Sequence, residues 1–510
     1  MADIVDAFLK RNPNFEFSSE AERKIKNLEP KKNPDRRVFL QYVGAGVAGL
    51  IVGAIGTFLL SPPKVEEKVV TRTETVTVTP KPEEARTVTT TVTKIETVAT
   101  APQPVKKPIP TTPIKIGHVH AFTGPAAVLG ESTTLTIRWL EEDINAKGGI
   151  LGRKVTHIER EQGSKTDEAV KEIRKIALED KVDFSISTIG SGMAVATAPV
   201  CNELGLLQFY PANRTADLLP ALKAPGSTTF RANRWDAGES LGLARAAMKL
   251  WPEAKKVAYI QPDYSYGRDI YAETSLFWKK FLPGFEIVAE AWPPLYSTDF
   301  TPHIVKTIEA KPDILYTSLW GGDWVTFLKQ AKGYGLFEKI PHVIAGAGQE
   351  SFHGPGAETP EGILAGVRYH WLWPPHEMWP PQKEYVSGYY TMHKKYPYYT
   401  GEGAVIGFTA YRNAVEHLYT QKESWPDTPD IVKAIENMWI AAPGGWVMIR
   451  EDHELVCSDV NGITKYDPEV AKKYPGAGVN FPILDPVFVS PAEEIIPPVG
   501  MHLKDWIASW

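Results

Sequence analysis

The fold class of this chain is decided by the stretch IKIGHVHAFTGP at residues 114–125. Its first six residues have the character of a strand, and Gly124 and Pro125 then form a turn. A helical pattern follows as far as Asn145, with Pro125 suited to the first helical position. A strand, a tight turn and a helix in this order form the unit from which α/β domains are built.

The same unit recurs along the chain. Three further strand-and-helix pairs lie at residues 182–188 with 193–204, 256–260 with 268–281, and 314–318 with 324–334. Alternation at this spacing predicts a parallel sheet covered by helices. A chain of 510 residues is long enough for two such domains.

The composition excludes several classes of protein. A net charge of −5 and a pI near 6.2 give no sign of nucleic-acid binding. Cys201 and Cys457 are the only cysteines, which rules out a disulfide scaffold and leaves either one pair or two buried thiols. His118 and His120 share one strand face without a cysteine or acidic partner. We therefore expect no metal, no cofactor and no enzymatic activity.

Residues 38–60 form an uncharged apolar run that is long enough to cross the roughly 30 Å hydrocarbon core as a helix. Arg36 and Arg37 precede it, so residues 1–37 are predicted to be a cytoplasmic tail, with the rest of the chain outside. The run resembles a twin-arginine export signal, but it ends without small cleavage-site residues or a lipid-bearing cysteine. We expect an uncleaved signal anchor, with a cleaved signal as the alternative.

Residues 61–113 are dominated by Thr, Val, Pro, Lys and Glu. Large aliphatic and aromatic side chains almost disappear there, so the segment cannot bury enough surface to offset the entropy lost on ordering. This composition predicts a stalk that spans about 170 Å when fully extended.

Several motifs of the globular part occur in the order of a known family. AFTGPAAVLG at residues 121–130 resembles that family's first ligand loop, and EDINAKGGILGR at residues 142–153 resembles its characteristic helix end and turn. ELGL at residues 203–206 and YPAN at residues 210–213 are similar to a further family segment. On these motifs, residues 114–466 resemble the type I solute-binding proteins of ABC importers for branched-chain amino acids, amides and urea.

The resemblance implies two α/β lobes, each a parallel sheet flanked by helices, which are joined by three crossovers and close around a ligand. The implied ligand is an amino acid, an amide or a urea-like compound. The implied partners are an ABC transporter permease and ATPase, because the chain has no P-loop of its own. The binding domain is expected in the periplasm or outside the cell, on a single membrane pass. A ligand-sensing or structural cell-surface protein on the same fold is the alternative.

The resemblance also sets the expected boundaries. The first lobe takes residues 114–234 and 364–442, the second lobe takes residues 235–363 and 443–473, and a C-terminal extension takes residues 474–510. The crossovers are expected near residues 230–234, 362–370 and 442–446.

The ligand-contacting residues implied by the resemblance come from strand-to-helix turns of both lobes. The first lobe supplies Leu129, Ser191, Gly192, Tyr210, Ala212, Asn213 and Arg214, and the second lobe supplies Tyr266, Trp320, Gly322 and Asp323. Three of them depart from the family pattern: Gly192 replaces a second serine, and Asn213 and Arg214 stand where Thr or Ser is common.

These departures leave the ligand open. Arg214 either holds a carboxylate through two parallel N–H bonds or is a solvated residue beside a site for a neutral amide. The family's usual acidic residue has no clear counterpart around residues 343–348, and Asp323 is the candidate to meet the ammonium of an amino acid instead. Ser191 is suited to donate its hydroxyl to a carboxylate or amide oxygen.

Overall fold

The computed structural model describes residues 106–163, 165–187, 190–233, 238–346 and 350–510. The predicted tail, the predicted membrane segment at residues 38–60 and the predicted stalk up to residue 105 lie outside the described residues. Within the described ranges, no helix is both long and apolar enough to cross a membrane. The last residues of the predicted stalk pack on the globular part, where the Trp425 N–H donates to the Lys107 carbonyl at 2.9 Å.

The first lobe begins with five strands and the helices between them. The strands are β1 (Ile114–His120), β2 (Val155–Glu161), β3 (Phe184–Ile186), β4 (Gln208–Tyr210) and β5 (Thr229–Arg231). The helices are α1 (Ala127–Ala146), α2 (Thr166–Leu178), α3 (Ser191–Leu204) and α4 (Leu219–Leu222), with a 3-10 turn at Ala216–Leu218. The strand order is β2-β1-β3-β4-β5, and each of these pairings is parallel.

Helix α1 shows how the sequence sets these elements. It ends because Gly148 and Gly149 follow with φ values of 103° and 83°, a left-handed conformation that glycine adopts without strain. The Gly149 N–H then donates to the Ile144 carbonyl at 2.8 Å, which satisfies one of the last helix carbonyls. The chain turns back at once and enters β2 beside β1.

The second lobe repeats the pattern around a second sheet. Its strands are β6 (Lys256–Ile260), β7 (Glu286–Ala291), β8 (Ile314–Thr317), β9 (His342–Gly346) and β10 (Leu364–Gly366). Its helices are α5 (Leu243–Leu250), α6 (Ser265–Phe281), α7 (Thr301–Glu309), α8 (Gly321–Gly333), α9 (Leu336–Lys339) and α10 (Glu350–His353), with a π-helical turn at Gly238–Gly242 and a 3-10 turn at Gly356–Glu358.

The chain then returns to the first lobe and ends in the second. The return consists of α11 (Pro380–His393), α12 (Tyr399–Lys422), α13 (Thr428–Ile435), β11 (Met438–Ala442), β12 (Gly445–Ile449) and β13 (Leu455–Cys457). The final elements are β14 (Asp459–Lys465), α14 (Pro468–Ala471), β15 (Ile483–Ser490), α15 (Ala492–Ile495) and α16 (Leu503–Ser509). The second sheet has the order β15-β14-β10-β9-β8-β6-β7. The predicted two-lobed α/β architecture with parallel sheets is confirmed.

The third crossover lies later than residues 442–446. Those residues form the turn of an antiparallel hairpin, and Ile440 and Val447 on its two strands pack into the first-lobe core. The chain enters the second sheet only between Cys457 and Asp459. The hairpin's apolar residues cover the first lobe. This packing joins residues that are far apart in the chain, so local turn signals in the sequence do not predict it. The C-terminal extension adds β15 as the edge strand of the second sheet.

Candidate ligand-binding site

A small, partly open cavity lies where the turns of the two lobes meet, with about 20 Å³ of space for the centre of a water-sized sphere. Ten residues line it: Leu129, Gly190, Ser191, Ala212, Arg214, Tyr264, Tyr266, Trp320, Arg368 and Tyr399. Most of them follow the carboxyl ends of strands in one sheet or the other, which is where parallel α/β sheets bind ligands. The cavity is therefore the candidate site.

The first-lobe wall is built by the turn before α3. Gly190 has a φ of 94°, which allows the chain to turn sharply from β3 into the helix. The Asn213 Nδ2 donates to the Gly190 carbonyl at 2.7 Å and ties this turn to the one after β4. Ser191 thus begins α3 at the cavity, and the unpaired N–H groups of a helix start favour negative charge.

The second-lobe wall is aromatic. Tyr264 and Tyr266 come from the turn between β6 and α6, and Trp320 precedes α8. The Trp320 Nε1 donates to the Tyr264 hydroxyl at 2.9 Å, so this hydroxyl keeps its own O–H to donate. Burial raises the pKa of Tyr264, and the hydroxyl stays protonated at neutral pH.

Behind this wall, one carboxylate holds two arginines. The Glu239 carboxylate accepts bonds from Arg214 Nη1, from Arg368 Nε at 2.6 Å and from the Tyr266 hydroxyl at 2.7 Å. The side chains of Arg214, Glu239 and Arg368 are 2%, 0% and 4% exposed. Arg214 belongs to the first lobe and Glu239 follows the first crossover, so the cluster joins the lobes.

Arg368 has one guanidinium nitrogen that no described residue uses. Its guanidinium carbon lies 4.1 Å from the centre of the Tyr399 ring, and its Nη1 is buried without a hydrogen-bond partner among the described residues. The backbone has a φ of 60°, a strained value for a side-chain-bearing residue. Burial alone lowers the pKa of Arg368, but the charge of Glu239 raises it well above its usual range, so the guanidinium stays charged.

The unused donor of Arg368 favours an anion. Among the residues that the structure describes, Glu239 is in contact with both guanidiniums, and none of the ten lining residues is an Asp or a Glu. A buried charge without a counter-charge is costly, and an unused buried donor adds to that cost. A ligand carboxylate placed here supplies a charged acceptor for Arg368 Nη1.

Six of the predicted site residues line the cavity together. They are Leu129, Ser191, Ala212, Arg214, Tyr266 and Trp320. The structure also decides one alternative left open by the sequence: Arg214 is 2% exposed and paired with Glu239, so it is not a solvated surface residue.

The other five predicted residues do not line the cavity. Tyr210 is buried behind the first-lobe wall, where its hydroxyl lies 3.1 Å from Thr197 Oγ1. The Asp323 carboxylate accepts the Tyr296 N–H at 2.9 Å, and burial raises its pKa to about 6. Asn213 supports the Gly190 turn as described above.

The remaining two are glycines of the strand-to-helix turns. A side chain at Gly322 would lie 3.1 Å from the Pro125 side chain, so this turn meets the first lobe closely. A side chain at Gly192 would have open space around it.

The sequence did not reveal Gly190, Tyr264, Arg368, Tyr399 or Glu239 as site residues. Tyr264 could have been predicted from the sequence, because it lies in the same DYSYG turn as Tyr266. Arg368 and Tyr399 come from the second crossover and from α12, far along the chain from the other lining residues, and no local motif marks them.

His118, Cys201 and Cys457, which could carry chemistry, are buried inside the fold. His118 is buried, with Nδ1 at 3.1 Å from the Ile186 carbonyl and Nε2 at 2.7 Å from Thr134 Oγ1. Cys201 and Cys457 are buried thiols that no disulfide joins. Within the part of the chain that the structure describes, no group of three or more metal-ligating side chains occurs.

Comparison with known proteins identifies the class of this chain. The periplasmic binding protein family model matches residues 113–458, which is more than half of the chain, and the chain belongs to this family. Its members are solute-binding proteins rather than enzymes. The sequence relatives described next include Leu/Ile/Val-binding protein homologues.

Individual relatives agree with that assignment. The Leu/Ile/Val-binding protein homolog 7 of Brucella suis is 28% identical over 242 residues, which cover 46% of this chain. The chain spans 58% of the length of that relative. An ABC-transporter solute-binding protein from Rhodopseudomonas palustris BisB5, in complex with 3,4-dihydroxybenzoic acid, has a TM-score of 0.61 at 21% identity. It covers 74% of this chain and 98% of its own.

A leucine-binding protein from Thermotoga maritima has the same TM-score of 0.61 at 18% identity. The alignment covers 75% of this chain and 99% of that protein. At these identities the solved structures establish the shared fold.

Proposed function

We propose that this chain captures a small organic carboxylate between its two lobes and passes it to an ABC importer. The observation that carries the proposal is the buried guanidinium of Arg368, a lining residue whose Nη1 has no hydrogen-bond partner among the described residues. The sequence expectation of an amino acid, an amide or a similar small polar metabolite is thereby narrowed to compounds with a carboxyl group.

Three kinds of donor support a carboxylate at this place. Arg368 has a buried Nη1 without a described partner, Tyr264 keeps a free O–H, and Ser191 begins a helix at the cavity. Hydrogen bonds between charged partners are roughly twice as strong as neutral ones, so the guanidinium contributes most. The relatives' named ligands, leucine and 3,4-dihydroxybenzoic acid, both contain a carboxyl group.

The delivery step is proposed from the family and from the N-terminal sequence. Residues 38–60 would hold the chain at the membrane, with the lobes in the periplasm or outside the cell. Residues 61–105 would then act as a tether that keeps the lobes near an importer. The permease and ATPase are separate proteins in this proposal.

The test is calorimetric titration of the full chain with three acids and their primary amides: 4-methylpentanoate, 3-phenylpropanoate and phenylacetate. At least one acid should bind at least ten times more tightly than its amide, because a charged carboxylate accepts from the Arg368 guanidinium more strongly than a neutral amide oxygen does. Arg368→Met should weaken that binding at least tenfold. Arg245→Met, which changes a half-exposed arginine of another surface groove, should leave it unaltered.

Two results would contradict the proposal. One is that no carboxylate of this kind binds to the full chain. The other is that the amides bind as tightly as the acids, which would show that the cluster contributes no charge selection.

A further inference from the structure

We infer that residues 496–502 form an interlobe clasp, which holds the two lobes closed and slows the release of a bound ligand. The clasp lies in the C-terminal extension, beyond the residues 113–458 that the family model matches. The inference goes beyond the proposed function, and its main test needs no ligand.

Both ends of the clasp are anchored in the second lobe. Before it, β15 is the edge strand of the second sheet, and Ile495 is buried. After it, Leu503 and Ile507 of α16 are buried in an apolar cluster with residues of α6. The partly exposed pair of Arg245 and Glu494 adds little to this anchoring.

The middle of the clasp is bonded to the first lobe. Arg450 Nη1 donates to the Pro497 carbonyl at 2.8 Å, and the Gly500 N–H donates to Asp452 Oδ2 at 3.0 Å. Arg450 and Asp452 follow β12, whose Val447 packs in the first-lobe core. The clasp therefore joins the two lobes directly, apart from the three crossovers.

The first-lobe partners of the clasp form a buried ion pair. Arg450 donates through Nε to Asp452 Oδ1 at 2.8 Å and through Nη2 to Oδ2 at 2.7 Å, and the two side chains are 11% and 3% exposed. Burial raises the pKa of Asp452, but the Arg450 guanidinium and the Gly500 N–H together lower it below its usual range. Each clasp bond thus has a charged partner, which strengthens it.

A second interlobe bond lies beside the clasp. Thr215 Oγ1 of the first lobe donates to Asp269 Oδ2 on α6 at 3.0 Å, and Asp269 follows the cavity-lining Tyr266 by one helical turn. Burial raises the pKa of Asp269, while the Thr215 hydroxyl and the charge of Lys504, just beyond the clasp, lower it. The clasp therefore lies close to the cavity, where movement of the lobes apart stretches its bonds.

The sequence of the clasp makes it stiff. Pro497 and Pro498 each fix φ at about −65°, and the Met501 N–H closes a turn by donating to the Pro498 carbonyl at 3.0 Å. A short stiff segment with both ends on the second lobe cannot follow the first lobe when the lobes separate. Its bonds then favour the closed form alone and shift the population toward it.

The main test measures the opening of the full chain without ligand, by double electron–electron resonance between two spin labels. The labels are attached through Lys171→Cys on α2 and Lys329→Cys on α8, which are exposed positions on the first and second lobes. Cys201 and Cys457 are buried and should remain unlabelled.

The double variant Arg450→Met with Asp452→Leu removes both clasp bonds together with the ion pair, a replacement by apolar residues that folded proteins tolerate. The matched control is Arg160→Met with Asp180→Leu, which removes a two-bond pair within the first lobe. The ratio of open to closed molecules should rise about fivefold in the double variant and stay unchanged in the control. Equal distance distributions in the two proteins would overturn the inference.

A second pair of variants tests the clasp from its own side. Gly500 has a φ of 71°, and a side chain there would be strained and would lie 2.5 Å from Lys223 Nζ. Gly226→Ala is the control, with a φ of 73° and open space around the added methyl group. The open fraction should rise in Gly500→Ala and not in Gly226→Ala. If circular dichroism shows that the double variant is unfolded, this pair decides, and equal open fractions overturn the inference.

The last measurement is the dissociation rate of the tightest-binding acid among 4-methylpentanoate, 3-phenylpropanoate and phenylacetate. Release should be about fivefold faster from the double variant than from its control. Equal rates would show that the clasp does not slow release. If none of the acids binds, the proposed function fails, while the distance measurement still decides whether the clasp holds the lobes closed.

Discussion

Two buried arginine clusters lie close together in this protein, and they differ in whether each guanidinium nitrogen has a hydrogen-bond partner: Arg231 has no unpartnered nitrogen among the described residues, whereas Arg368 has one. Arg231 faces Glu454 alone, with Nε at 2.6 Å from Oε2 and Nη2 at 3.1 Å from Oε1. Its remaining N–H groups donate to the carbonyls of Asn213 at 2.5 Å and Thr215 at 3.0 Å. In the second cluster, Glu239 is shared between two arginines.

The difference separates a structural ion pair from a binding site. An arginine whose nitrogens all have partners has no nitrogen left for a ligand, whereas Arg368 keeps one buried nitrogen that no described residue uses. The two clusters are also connected, because Arg231 holds the carbonyls on either side of Arg214. The satisfied pair thereby fixes the segment that presents one arginine of the unsatisfied cluster.

The largest expected effect comes from breaking the matched pair. Arg231→Met leaves Glu454 buried without a cation and should lower the free energy of unfolding by about 3–5 kcal/mol, measured by urea denaturation. Arg245→Met is the control, since it removes a partly exposed pair with Glu494 and ring contacts with Phe277 and Trp510, and should cost less than about 1 kcal/mol. A loss at Arg231 as small as that of the control would show that its pair does not stabilise the fold.

Asp323 is a third buried charge. Its carboxylate accepts one hydrogen bond, from the backbone N–H of Tyr296. Its folded pKa of about 6 lies above the ordinary 3.8, so folding favours the protonated form. Wild-type stability should fall as pH rises from about 4 through 6, by up to about 3 kcal/mol.

The variant Asp323→Asn keeps an acceptor for the Tyr296 N–H without the charge. It should match the wild type at pH 4 and exceed it in stability at pH 8, as measured by thermal unfolding at both pH values. Equal stability of the variant and the wild type at pH 8 would show that the protein stabilises the charged Asp323 carboxylate more than its one hydrogen bond indicates.

The smallest expected effect on stability is at the unmatched cluster. Arg368→Met leaves Glu239 paired with Arg214, so the free energy of unfolding should stay within about 1 kcal/mol of the wild type. The same variant should lose ligand affinity, as described above. If Arg368→Met lowers the free energy of unfolding as much as Arg231→Met does, both clusters stabilise the fold equally and the proposed difference between them is wrong.

The sequence predicted the fold well because its signals are local. The strand, turn and helix at residues 114–145 and the glycine pair that ends α1 depend on neighbouring residues, and both are found where expected. The placement of the third crossover depended on packing of β11 to β13 against a distant core, and the sequence placed it too early.

The residues of the candidate site likewise fall into those that local motifs predict and those that they do not. Residues in strand-to-helix turns, such as Ser191 and Trp320, could be placed by their motifs, and they line the cavity. The charge balance could not be foreseen, because Arg214, Glu239 and Arg368 are brought together only by the two crossovers. Arg368 was invisible to motif reasoning since its role depends on partners more than a hundred positions away in the chain.

The central claim is that a ligand carboxylate completes the cluster around Arg368. The most direct measurement is a crystal structure of the full chain with the tightest-binding of the three acids. We expect a carboxylate oxygen within hydrogen-bonding distance, about 3 Å, of Arg368 Nη1, with the ligand body against the aromatic wall. A bound acid whose carboxylate lies away from both arginines, with Arg368 Nη1 still without an acceptor, would contradict the account.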